Sequence, residues 1–172
     1  MAATRDKGGL DQILQAIVDR LIGQINGLTK ATCYHCLDPD ALPMSNPGGH
    51  IFVVAPTSGT FDEGMYAGGG LETLMASGGI VVKIHAPLNV DEPQREAALL
   101  TNLSLGVMGL ASKTIKALAN PEWSPQFDEH VLTRDPLIPS GYAITRSDKR
   151  VGAIELTFKC NFDWDADPAA GG

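Results

Sequence analysis

The chain has 172 residues, with 13 Lys and Arg against 20 Asp and Glu, for a formal net charge of −7. That length suits one domain with a real core. That acidity excludes non-specific phosphate binding and docking on an anionic membrane surface, both of which rest on clustered Lys and Arg. Charged residues make up 19% of the chain, while Gly counts 19 and Pro 11. The surface is therefore short of solvating charge and rich in turns, a composition suited to surface covered by partners.

No uninterrupted apolar run is long enough for a transmembrane helix. Met1 to Gly9 is polar and lacks an apolar signal core, and three cysteines do not make a secreted disulfide framework. The expected setting is a cytoplasm. The expected organisation is one domain over 1–172, with a core of about 10–164 and flexible termini at 1–9 and 165–172.

Leu10, Ile13, Leu14, Ile17, Val18, Leu21, Ile22 and Ile25 recur at helical spacing, and Gly27 supplies a stop. Residues 29–49 are dominated by turn formers, among them Pro39, Pro43, Asn46, Pro47, Gly48 and Gly49. Ile51 to Ala55 is a short buried strand bounded by Pro56. The Gly-rich stretch 57–79, with Gly68-Gly69-Gly70, holds either one irregular strand or a long loop. Ile80 to Ala86 is a strand that Pro87 ends, and on it Lys83 and His85 share one face, read as wet or as an interface. Asp91-Glu92-Pro93 opens a helix that runs to Leu118, about 28 residues and about 42 Å if unbroken. Gly106 and Gly109 lie inside it, pointing to close packing or a bend. Asn120-Pro121 closes it, and 119–139 reads as linker.

Tyr142 to Arg146 is a short strand, and Ser147 to Arg150 a polar turn. In the last strand Ile154, Leu156, Phe158, Cys160, Phe162 and Trp164 alternate with Glu155, Thr157, Lys159, Asn161 and Asp163. That alternation describes a half-buried antiparallel strand. The fold class is α+β: a mainly antiparallel sheet, an N-terminal helix and one long helix on one face, and a C-terminal β-hairpin.

Cys33-Tyr34-His35-Cys36 is the string closest to catalytic or metal chemistry. A thioredoxin-type pair needs a strand before it and a helix after it, whereas here a helix precedes and a Pro-rich loop follows. Cys33, His35, Cys36 and His50 make four zinc donors, but without the second paired spacing of a structural site. A small metal-binding or thiol enzyme using Cys33, His35 and Cys36 is the alternative reading. Asp62-Glu63 and Asp38/Asp40 read as solvated turns and lack the calcium-loop spacing. The glycine triplet lacks the Lys-Ser/Thr of a phosphate loop. No catalytic, cofactor or metal residues are assigned.

The order of helix (10–25), strand (51–55), broken middle, strand (80–86), long helix (91–118) and aromatic C-terminal strand (154–164) resembles the tail terminator, or tail completion, proteins of long-tailed bacteriophages. The segment from Arg150 to Asp165, ending Phe162-Asp163-Trp164-Asp165, carries most of the likeness. The loops at 29–49 and 119–141 and the Cys33/Cys36 pair depart from that family's compact form. The resemblance implies an architectural virion protein of the neck or tail, made in the host cytoplasm. Six copies would form a ring that ends the tail tube and joins it to the head-tail connector or a head-completion protein. Another neck or tail-tube component is the alternative within that class. The expected partners are further copies, the tail tube subunit and the connector, with DNA as passing cargo, no membrane and no cofactor. Interface candidates, chosen for exposure, are Asp62, Glu63, Tyr66, Arg146, Lys149 and Arg150.

Overall fold

The computed structural model describes residues 10–43, 49–61, 73–87, 106–127, 130–133, 135–146 and 151–165. The termini 1–9 and 166–172, the glycine triplet, the turn 147–150 and the predicted helix over 91–105 lie outside the described residues.

Helix α1 spans Leu10–Gln24 and buries Ile13, Leu14, Ile17, Val18 and Leu21, the stripe predicted from the 3.6-residue period. Gly27 adopts φ 90°, the left-handed conformation that a side chain resists, and so turns the chain out of the helix. Strand β1, Cys33–His35, then pairs in parallel with Phe52–Val54 of β2, Ile51–Phe61. The expectation of turns alone over 29–49 is corrected here. A three-residue strand is too short for any periodicity, and only its partner on β2 defines it.

Pro56 does not end β2. Beyond Val54 no described strand lies on the outer side of β2, and the ladder slips between Pro56 and Gly59, so the missing N–H falls at an edge and a bulge. Strand β3, Thr73–Pro87, pairs antiparallel with β2 and with β7, Val151–Asp165. The Gly78-Gly79 pair thus lies within a strand: of the stretch 57–79, residues 57–61 end β2 and 73–79 open β3, while 62–72 lie outside the described residues. Asp165 pairs with Thr73, so the last strand extends one residue into the segment expected to be a flexible tail.

Helix α2, Val107–Leu118, has 12 residues, about 18 Å. Gly106 is its N-cap in an extended conformation (φ −76°, ψ 164°), so the expected helix over 91–118 is corrected: it does not run through Gly106, and of the two readings of that glycine the break in the helix is the one found. Gly109 lies inside the helix on its buried side. Arg20 donates from Nε to the Ala117 carbonyl (3.2 Å) and stacks 5.2 Å above the Trp123 ring, tying α1 to the electronegative end of α2.

The stretch 119–139 is more than linker. A short hairpin pairs β4, Gln126–Phe127, with β5, His130–Val131, and Thr133 bridges to Phe162. Leu132 and Leu137 enter the core. Strand β6, Ile138–Arg146, begins four residues before the predicted Tyr142, with a slip at Pro139/Gly141 that again accommodates a proline.

The main sheet has the order β1-β2-β3-β7-β6, parallel only at β1/β2. Helix α1 rests on β1 and β2, and α2 on β3 and β7. Phe52, Val54, Ile80, Val82, Ile84 and the predicted face of β7 (Ile154, Leu156, Phe158, Cys160, Phe162) form the core beneath them.

Candidate interaction surface

Among the described residues the helix layer stops short of β6. In an antiparallel pair, opposite residues share a face. Tyr142 faces Leu156 and Ile144 faces Ile154, both core residues, so Tyr142 and Ile144 stand on the helix side of the sheet. There they are 71% and 56% exposed. Met108 and Ile115 on the outer flank of α2 are also exposed. Between them runs an apolar groove of about 230 Å³, walled by Met108, Ala111, Ile115, Pro139 and Tyr142 and floored by β7. The outer edge of β6 carries no described strand. Before Arg146 its sequence has no charged side chain to deter pairing. An open edge beside exposed apolar side chains is a surface on which another chain can pair.

The opposite face of the sheet holds a polar cluster. Lys83, 6% exposed, contacts the Asp40 carboxylate at 2.5 Å and lies 3.7 Å from that of Glu155. His85, also buried, has Nε2 3.0 Å from the Pro39 carbonyl, so Nε2 carries the donated proton, and Nδ1 has no partner among the described residues. Burial, followed by repulsion from Lys83, lowers the His85 pKa, while the Pro39 carbonyl and Asp40 oppose that shift. The reading of Lys83 and His85 as a wet face is corrected: the segment after β1 crosses this face and lays Pro39 and Asp40 over them. Asp40 is correspondingly more than a solvated turn residue.

The CxxC string lies on extended backbone. Cys36 N–H bonds the Val54 carbonyl at 3.0 Å, continuing the β1 ladder past His35. Residues three apart on such a strand point to opposite faces, so Cys33 and Cys36 diverge. Cys33 is in the core, its thiol pushed up to about 12 by burial and then by Asp19. Cys36 donates its S–H to the Asp38 carbonyl, and burial raises its thiol too. His35 meets Gln15 of α1 at 3.2 Å. Among the described residues no three His, Cys, Asp or Glu side chains gather as a metal site.

Of the residues chosen as interface candidates, Asp62, Glu63, Tyr66, Lys149 and Arg150 lie outside the described residues. Arg146 ends β6, paired with Gly152, and its side chain is outside them. The groove residues Met108, Ile115, Pro139 and Tyr142, and the exposed Ile144, were not among the candidates. The alternation at Tyr142 to Ile144 marks a strand, but its edge position and bare helix-side face are set by strand order.

No family model matches the chain, and no curated protein matches it. Among solved structures it is similar to a chain of "Virion of native gene transfer agent (GTA) particle", at 15% identity and a TM-score of 0.49, covering 88% of this chain and 95% of that chain.

Proposed function

We propose that this chain is an architectural subunit rather than an enzyme, and that its role is the virion ring implied by its order of elements. In that ring, copies side by side end a tail tube and offer a surface to the head-tail connector. The observation that supports the reading is the open β6 edge with its apolar groove, where Tyr142 is 71% exposed. A free subunit with this surface gains by burying it, and unlike patches on one chain close into rings when the rotation allows. The divergence of Cys33 from Cys36, and their raised thiol pKa values, work against a thiol or shared-metal centre there. DNA enters as cargo crossing an acidic ring, from which like charge repels it.

The test is the solution mass at several concentrations, combined with electron micrographs of the purified chain and of the chain mixed with tail tubes. Closed rings that cap tube ends are expected. A protein that stays monomeric at every concentration, alone and with tubes, overturns the proposal.

A further inference from the structure

We propose that the free chain pairs β6 with β6 of a second copy, antiparallel about a two-fold axis through Ala143, and that this weak dimer covers the edge until assembly. This goes beyond the ring reading and does not need it: a two-fold contact uses one surface twice, whereas a ring joins two different ones.

Three observations support it. First, β6 is bare on its far side from β7. Residues 138–145 are all exposed. Among the described residues their backbone groups bond only across the β7 ladder, and the Ser140 hydroxyl, which donates to the Thr157 carbonyl, also turns inward. Second, the strand fits itself. Facing residues in an antiparallel pair share a face, so a two-fold axis normal to the sheet passes through a residue and never between two. Over the regular stretch after the slip at Pro139/Gly141, an axis at Ala143 sets Tyr142 opposite Ile144 of the second copy, and Ile144 opposite its Tyr142. Both stand on the helix side, 71% and 56% exposed. An aromatic facing a β-branched side chain is a favourable cross-strand pair, and the symmetry makes it twice. On the other face the same axis sets Gly141 opposite Thr145, both exposed. An axis at Tyr142 or at Ile144 makes neither aromatic pair.

Third, the charge pattern suits a second copy. Each copy carries the same net charge of −7, so two copies meet best where acid is absent. Positions 136–145 hold no charged residue, a run that takes in all of β6 except Arg146. The axis sets Arg146 opposite Ser140 and keeps the two Arg146 positions about 20 Å apart. The area then decides how tight the contact is. Nine residues of strand are about 30 Å long, and the edge with the side chains of both faces is about 15 Å across, roughly 450 Å² per copy. Roughly 900 Å² in total lies below the range of stable complexes, so the dimer exchanges and can give way when a ring forms.

The experiment is disulfide trapping in a Cys36→Ser background, since Cys33 and Cys160 are buried. Directly opposed residues lie about 5 Å apart at Cα, within disulfide reach. Ala143→Cys alone, oxidised mildly and run on a non-reducing gel, should give covalent dimers. Gly141→Cys alone and Thr145→Cys alone should give none, each being about 13 Å from its twin, and an equal mixture of the two should give them. A Cβ at Gly141 meets nothing within 4 Å, so that variant is free to fold. Sedimentation of the parent from about 1 to 500 µM should show monomer passing to dimer. Tyr142→Asp, at an exposed position, should stay monomeric over that range with an unchanged circular-dichroism spectrum. No covalent dimer from Ala143→Cys, crosslinking by Thr145→Cys alone, or a dimer kept by Tyr142→Asp overturns the proposal. Trapped dimers with no rings on tail tubes leave it standing and count against the ring reading alone. Rings on tubes with Ala143→Cys untrapped do the reverse.

Discussion

Gly59 and Gly141 sit in comparable bulged strands and differ in what surrounds them. A Cβ at Gly59 would lie 2.7 Å from the Ser77 carbonyl oxygen and 3.0 Å from Gly78 Cα, both backbone atoms that cannot swing aside. Gly59→Ala should therefore cost about 1–3 kcal/mol in urea denaturation. Gly141→Ala, with open space around it, should leave stability unchanged or slightly raised. His85 supplies a pH dependence whose sign follows from its depressed folded pKa. Its contribution is fully present above the unfolded value of about 6.5 and is lost as pH falls below it, because the unfolded chain takes up the proton first. Melting temperature should thus drop between pH 7.5 and 5, and His85→Gln should flatten that drop. An unchanged slope would place the dependence on other groups. None of this was legible from His85 and Lys83 in sequence, where two polar residues on one strand face look wet. What buries them is Pro39 and Asp40, arriving from more than forty positions earlier.

Among the elements, α1 and β7 are the two whose patterns alone specify their burial. Five apolar side chains at helical spacing bury one stripe of α1, and strict alternation buries Ile154 through Phe162 on β7. Phe158 is fully buried in the core, so Phe158→Ala should cost about 3–5 kcal/mol through lost transfer energy and an unfilled cavity. Lys159→Ala, one residue on and exposed, should fall within about 0.5 kcal/mol of the parent by the same denaturation measurement. Patterns failed where an element borrows its stability. β1 is three residues held by β2, the proline-bearing halves of β2 and β6 survive through edges and bulges, and Leu132 and Leu137 make a core contribution from a stretch that reads as linker.

At the scale of the whole molecule, helix cover among the described residues ends over β7 and leaves β6 as an apolar margin. Contacts made there by backbone hydrogen bonds and apolar side chains, with one Arg at the strand's end, should be nearly indifferent to salt. Raising NaCl from about 0.1 to 0.5 M should leave the sedimentation of the proposed assembly unchanged, and dissociation would point to ion pairs as the joining force instead. The acidity and low charge content that exclude phosphate-binding roles, the α+β class and the buried faces of α1 and β7 were all determined by the sequence itself, since they depend on composition and on spacing within one element. The open edge of β6, the burial of Lys83 and His85 and the parting of Cys33 from Cys36 were decided only in the tertiary structure. Each depends on which strand lies beside which, and the spacing of residues along one strand does not encode its neighbours.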